Sequence, residues 1–129
     1  ESSLSLYFDG SCFPTGSAAY GAFVVKDGDT VLHQHRFLEA AEGTNNIAEW
    51  GGLVAGLRHV REQYPDRPIH IFGDSQLVIY QLTGKYVCKK EHLIPYLREA
   101  KQLLEGAEWK AEWVRRDKNA EADALSKVR

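Results

Sequence analysis

Methionine is absent, cysteine is confined to Cys12 and Cys88, and only four prolines interrupt the 129 residues. Each scarcity narrows the field. A chain without methionine that begins at Glu1 is expected to have lost its initiator by processing, trimming or excision from a larger protein. Two cysteines in a chain this long describe neither a disulfide framework nor a zinc site, so two free thiols are expected. No apolar run approaches the length that spans a bilayer, and no charged-then-apolar leader opens the chain, so a cytoplasmic protein is expected. A basic excess is missing too: 16 Lys and Arg stand against 18 Asp and Glu, giving a net charge of −2 and a pI near 6.2. Nucleic-acid binding usually leaves a basic footprint over the whole domain, so any such binding here must rest on local patches.

What is present suits a folded chain. With 43% hydrophobic and 26% charged residues, residues 1–129 are expected to form one soluble globular domain with a sizeable core. Leu4 to Ser11 alternates and is rich in apolar and aromatic residues, predicting a strand that ends in a carboxylate, Asp9, followed by Gly10. Phe13 to Ser17 is a predicted turn, Ala18 to Lys26 a second strand, Asp27-Gly28-Asp29 a hairpin turn, and Thr30 to Leu38 a third strand in an antiparallel meander. Thr44-Asn45-Asn46 opens a helix that Pro65 closes after Tyr64, with Ile47, Trp50, Leu53, Val54, Leu57, Val60 and Tyr64 as its buried stripe. Gly51, Gly52 and Gly56 cost that helix roughly 1 kcal/mol each relative to alanine, so packing, and close packing against the sheet in particular, must hold it. Pro68 to Gly73 is a fourth strand, Asp74-Ser75-Gln76 leads a helix through Leu82, and Leu93 to Leu104 is an amphipathic helix. Glu108 to Val114 is a fifth strand, Arg115 to Asn119 a polar loop, and Ala120 to Lys127 a short helix. Strand, helix, strand order favours parallel pairing with right-handed crossovers.

Four acids stand out from this frame. Asp9 ends the first strand, Glu49 lies in the first turn of the long helix at the edge of its buried stripe, Asp74 follows the fourth strand, and Asp123 sits among the small residues of the last helix. Each has a plainer alternative. Glu49 could close a capping box with Asn46, and Asp74 could be a simple helix N-cap. As a set they are harder to dismiss, because four carboxylates brought to one end of a sheet repel strongly without a cation. Hard oxygen ligands select magnesium or manganese over zinc, and such a site suits in-line phosphoryl displacement. Lys85, Lys89 and Lys90, with Tyr86 between them, are either a solvated loop or a nucleic-acid backbone track. His33 and His35 share a face of the third strand and suggest a two-histidine metal site, but no third ligand is near in sequence, which favours two exposed edge-strand histidines.

The segments Asp9-Gly10-Ser11, Thr44-Asn45-Asn46-Ile47-Ala48-Glu49, Gly73-Asp74-Ser75-Gln76 and Asn119-Ala120-Glu121-Ala122-Asp123-Ala124-Leu125 closely resemble those of type 1 ribonuclease H. The likeness runs in order from the first strand to the last helix. It implies an α/β ribonuclease H-like fold, a five-stranded mixed sheet of order 3-2-1-4-5 flanked by helices. It also implies an endonuclease that cuts the RNA strand of an RNA–DNA hybrid with two Mg²⁺ or Mn²⁺ ions, leaving 5′-phosphate and 3′-hydroxyl ends. By the resemblance Asp9 bridges both metals, Asp123 completes the nucleophile-side metal, and Glu49 and Asp74 hold the other, with Glu49 also meeting a 2′-hydroxyl. Gly10, Ser11, Cys12, Thr44, Asn45, Asn46 and Gln76 are the implied hybrid contacts, joined by Lys85, Lys89, Lys90, Arg115, Arg116 and Asn119. A monomer is expected.

Three departures from the family pattern accompany the likeness. The loop before the last helix is short and lacks the histidine found in many members, leaving Arg115, Arg116 or Asn119 as substitutes. Phe13-Pro14-Thr15-Gly16 replaces a Gly-Asn-Pro-Gly turn and removes a phosphate-contacting asparagine. No long basic protrusion follows the Asp74 helix. Two other readings stay open at this level: a hybrid-binding or interaction module that kept the fold without catalysis, and another nuclease of the same fold, integrase-like or exonuclease.

Overall fold

The computed structural model describes residues 3–12, 14 and 16–126. Phe13 and Thr15 of the expected turn, and Lys127 at the expected end of the last helix, lie outside the described residues. In chain order the elements are β1 (Leu4–Ser11), β2 (Ala19–Asp27), β3 (Thr30–Ala40), α1 (Asn45–Gln63), β4 (Ile69–Gly73), α2 (Gln76–Thr83), α3 (Ile94–Leu104), β5 (Trp109–Trp113) and α4 (Ala120–Ser126), with a 3₁₀ turn over Arg116–Asn119. The five strands form one sheet of order β3-β2-β1-β4-β5. β1 pairs antiparallel with β2 and parallel with β4, β2 pairs antiparallel with β3, and β4 pairs parallel with β5.

β1 is central because its alternation satisfies both faces of the sheet at once. Leu4, Leu6 and Phe8 are buried in the core beneath α1, while Tyr7 and Asp9 point to the other side. α1 starts at Thr44, whose Oγ1 accepts from the Ile47 N–H at 3.2 Å, a cap of about 1 kcal/mol. Asn46 therefore lies inside the helix, and the capping box with Glu49 does not form. Glu49 sits just beyond the first turn, with no acidic residue in that turn.

The buried face of α1 is broader than the apolar stripe, since Ala48, Gly51, Gly52 and Gly56 are buried with Trp50, Leu53, Val54, Leu57 and Val60. The reason is backbone contact with the sheet. A Cβ on Gly10 would stand 2.3 Å from the Ala48 carbonyl carbon, and one on Gly52 2.6 Å from the Asp9 carbonyl oxygen. Neither distance is compatible with a side chain, so glycine at both positions sets how deeply α1 settles over β1. α1 is further tied to α2 by Trp50 Nε1, which donates to Gln81 Oε1 at 3.1 Å in the core. On the opposite face α4 packs against β1 and β2, with Ala122 fully buried and Glu121 paired to Lys26 of β2 at 2.5 Å.

Candidate active site

The site forms where the carboxyl ends of β1 and β4 meet, the usual place for ligands in open α/β sheets. β1 supplies Asp9, and β4 runs directly into Asp74. α1 brings Glu49 in from one face of the sheet and α4 brings Asp123 from the other. One oxygen from each of Asp9, Glu49 and Asp74 lies within 4.8 Å of the others, the one such trio of possible metal ligands among the described residues. Asp123 joins through a hydrogen bond between its carboxyl and that of Asp9. A cleft of about 330 Å³ opens over these groups, lined by Asp9, Gly10, Ser11, Asn45, Arg116 and Asp123 among others.

Asp74 is not the cap of α2. Ser75 takes that role, its Oγ accepting from the Val78 N–H at 3.2 Å, which frees the Asp74 carboxylate for the cleft. The Asp74 backbone is pinned from β5, because Trp113 Nε1 donates to the Asp74 carbonyl at 3.1 Å and the Val114 N–H to the Gly73 carbonyl at 2.9 Å. Its side chain is only 8% exposed. Oδ2 is buried and accepts no hydrogen bond among the described residues, with Arg116 Nε facing it at 3.5 Å. A buried carboxylate oxygen left without a donor is costly unless a cation satisfies it.

The electrostatics agree. Burial pushes the Asp9 carboxyl up to about 8, helped by the Asp123 hydrogen bond and the charges of Asp74 and Glu49, against the lowering effect of the Gly10 N–H. Glu49 is pushed up to about 7, first by burial and then by Asp74, while a hydrogen bond from Ser75 and the charge of Arg116 oppose the rise. Acids held this close retain protons near neutral pH, and a bound cation would displace them. The donor set is all oxygen, which fits a hard divalent cation such as magnesium or manganese rather than zinc.

The expected substrate contacts divide by position. Gly10, Ser11 and Asn45 line the cleft, whereas Asn46 and Gln76, at the starts of α1 and α2, are not among its lining residues. Thr44 and Asn45 are also committed to the fold, Thr44 as cap and Asn45 by accepting the Cys12 N–H at 2.9 Å. Two of the expected contacts are buried. Cys12 borders the cleft with Ser11, but its side chain is buried, the thiol donating to the Gly43 carbonyl at 3.3 Å and the Ser17 carbonyl at 3.4 Å, so it braces the turn. Asn119 is likewise buried, and its Nδ2 donates to the Phe8 carbonyl at 2.9 Å, stitching the 3₁₀ turn to β1 beside Asp9. Both cysteines are free thiols.

The two arginines before α4 also separate. Arg116 Nε stands 3.5 Å from Asp74 and 4.0 Å from Asp123, whereas Arg115 pairs with Asp117 at 4.0 Å with both side chains well exposed. Lys85, Lys89 and Lys90 are exposed on the segment between α2 and α3, away from the acids in the chain, with Lys85 Nζ over the Tyr80 ring at 4.4 Å. Ser75 went unassigned at the level of sequence, although the Gly73-Asp74-Ser75 run contains it. Its double duty, capping α2 and donating to Glu49, requires α1 and α2 to be side by side.

A mixed sheet of this order, with acids delivered to one strand end from both faces, defines a ribonuclease H-like domain. The model of the reverse transcriptase-like family matches residues 7–128, and the chain belongs to that family as a type 1 ribonuclease H domain. It is 34% identical over 113 residues to the bifunctional protein Rv2228c of Mycobacterium tuberculosis, a match covering 86% of this chain and 30% of that protein. It is 34% identical over 121 residues to ribonuclease HI of Halobacterium salinarum, covering 93% of this chain and 60% of that one. The chain therefore spans between about a third and three fifths of these relatives' lengths. Among solved structures, ribonuclease H1 from Halobacterium salinarum superposes with a TM-score of 0.87 at 32% identity, covering 96% of this chain and 94% of the other. The N-terminal ribonuclease H domain of Rv2228c superposes at 0.89 with 29% identity, covering 97% and 91%.

Proposed function

We propose that residues 1–129 act as a single catalytic domain, a metal-dependent endonuclease that hydrolyses the RNA strand of RNA–DNA hybrids and leaves 5′-phosphate and 3′-hydroxyl ends. The observation that carries this reading is the convergence of four carboxylates at the adjoining ends of β1 and β4, with the buried Asp74 Oδ2 accepting no hydrogen bond among the described residues. Kinship with ribonuclease HI supports the reaction class. Asp9, Glu49, Asp74 and Asp123 would hold two Mg²⁺ ions, with Mn²⁺ as substitute. The chemistry that such ions would supply at these carboxylates is activation of a water for attack on the scissile phosphate and neutralisation of charge on the leaving 3′-oxygen.

The chain's own residues do the rest. Gly10 and Gly52 let α1 settle until Glu49 reaches Asp9, Ser75 orients Glu49 through its hydroxyl, and Asn119 fixes the Phe8 carbonyl next to Asp9. Arg116, poised over Asp74 and Asp123, supplies positive charge from the short loop before α4, in which many members of the family carry a histidine, and helps to position the scissile phosphate. Ser11, Asn45, Asn46 and Gln76 track the hybrid's minor groove, where the 2′-hydroxyls of the RNA strand are displayed. Lys85, Lys89 and Lys90 meet backbone phosphates.

The test is a cleavage assay on labelled RNA–DNA hybrid, double-stranded RNA and double-stranded DNA, in chelator and with added Mg²⁺ or Mn²⁺. Hybrid cleavage that appears only with the cation is the expected outcome. Cleavage undiminished by chelator would remove the metal mechanism, and preference for double-stranded DNA would remove the substrate assignment.

A further inference from the structure

We propose that His33, His35 and His59 form a second metal site, separate from the carboxylates, that takes zinc as a three-imidazole complex with Glu62 as fourth ligand. His33 and His35 lie two residues apart on β3 and so share a face. What the sequence could not supply is the third ligand, and α1 supplies it. The His59 ring stacks on His33 with centroids 4.0 Å apart and planes 14° from parallel, and His33 lies 6.3 Å from His35. All three surround Phe23, at 5.7, 6.2 and 5.8 Å from its ring for His33, His35 and His59.

Two imidazoles on one tetrahedral zinc, with Zn–N near 2.0–2.1 Å, have ring centroids about 5 Å apart. The observed separations fall on either side of that value. Convergence needs only rotation of His33 out of its stack and an inward swing of the exposed His35 ring, both side-chain motions at the wall of an open cleft of about 500 Å³. The site thus assembles on binding, since the acidic trio alone presents three ligand atoms within 4.8 Å among the described residues.

Charge around the cleft favours a cation. Glu39, Glu62 and Glu99 line it. Glu99 is paired with Arg58, and Glu39 accepts from the Tyr96 hydroxyl at 2.6 Å, whereas Glu62 stands one helical turn beyond His59 and acts on it electrostatically. Burial, followed by the neighbouring His33, holds His59 below the ordinary imidazole pKa, leaving it in the neutral form that ligates metal. Imidazole selects zinc, copper or nickel where carboxylates select magnesium or manganese, so one chain sorts two classes of cation into two sites. His59 lies ten residues after Glu49, about 15 Å along α1. Zinc would clasp the edge strand β3 to the helix that carries Glu49.

The test is titration of the whole chain with zinc chloride in saturating Mg²⁺, which fills the carboxylate site, followed by imidazole NMR and by calorimetry. We expect one zinc per chain, shifts in the ring signals of His33, His35 and His59 but not of His70 or His92, and a higher melting temperature. His59→Gln should weaken binding by about tenfold or more, at least the loss that an outer-shell change costs a metal site. His35→Gln, at an exposed position that leaves the fold intact, should do the same, and His70→Gln should change nothing. The proposal is overturned if zinc perturbs only signals near Asp9 and Asp74, or if His35→Gln binds zinc like the parent.

Discussion

The acid cleft and the lysine segment between α2 and α3 would touch the same polyanion, yet they are built in opposite ways. The acids are held by backbone. Gly10 and Gly52 set the depth of α1, Trp113 and Val114 pin the end of β4, and Asn119 ties the 3₁₀ turn to β1. Little there can relax, so the carboxylates remain close although burial and mutual repulsion push Asp9 up to about 8 and Glu49 to about 7. The lysines are exposed on a segment without regular structure, next to a Val87 that is 76% exposed. Positions that must hold cations to within tenths of an ångström are placed on rigid element ends, and positions that need only a charge near a phosphate are left on a loop.

The largest expected effect breaks the rigid side of this comparison. Asp74→Asn should lower kcat on the hybrid by on the order of 10³-fold or more, a metal ligand being worth at least as much as an oxyanion donor. The metal-free variant should melt at or above the parent temperature, because one charge has left a crowded cluster. A variant that melts well below the parent would mark Asp74 as structural.

A smaller effect is expected at Arg116, where replacement by Gln should lower kcat by about tenfold with KM little changed, since its charge sits over the reacting groups. Arg115→Gln, at an exposed position paired with Asp117, should leave both constants near the parent values. Measuring the two variants side by side sharpens the line between cleft and surface. On the loose side, Lys85, Lys89 and Lys90 replaced together by alanine should raise KM severalfold and flatten the salt dependence by about 0.7–0.9 in log–log slope per lost phosphate contact, with kcat largely kept. An unchanged KM across a salt series would reduce the segment to a solvated loop.

The smallest effect is in stability against pH. In chelator, the folded state holds protons on Asp9 and Glu49 that the unfolded chain releases from ordinary values of 3.8 and 4.5. Their contribution is complete below those values and is lost as pH rises through about 7 for Glu49 and about 8 for Asp9. Metal-free melting temperature should therefore fall over roughly pH 5 to 9, and saturating Mg²⁺ should flatten the slope by replacing the protons. A metal-free melting temperature that rises over this range would contradict the burial of the acids.

Much of this architecture was legible in the residues. Alternation in Leu4–Ser11, the Asp27-Gly28-Asp29 turn, and the helical spacing of Trp50, Leu53, Leu57 and Val60 are local signals of period and turn chemistry, and they placed every strand and helix to within a few residues. The three glycines of α1 were legible as a sign of close packing. What that packing does was not, because the atoms that crowd a Cβ belong to β1 and β2 at Gly52 and Gly56 and to Glu39 of β3 at Gly51. Boundaries shifted where tertiary contacts extend an element, as in β3, which continues to Ala40 because it stays paired to Ala19.

The site shows the same division more sharply. The identities of Asp9, Glu49, Asp74 and Asp123 follow from the sequence, since a carboxylate at a strand end or on a helix edge is a property of local spacing. Which residues cap, brace or face the cleft depends on side chains meeting across long stretches of chain. Thr44 and Ser75, not Asn46 and Asp74, are the caps because the extended backbone that precedes each helix falls at those two residues and sets their hydroxyls on the N–H three residues on. Cys12 turned inward onto the Gly43 and Ser17 carbonyls of the turn, and Asn119 onto the Phe8 carbonyl of β1, partners that only the folded chain brings within reach. His59 reached His33 only because α1 lies over the β2–β3 hairpin. Periodicity and turn chemistry act over a few residues and can be read from one line of sequence, whereas desolvation and ligand convergence are properties of volume, and only the folded chain decides them.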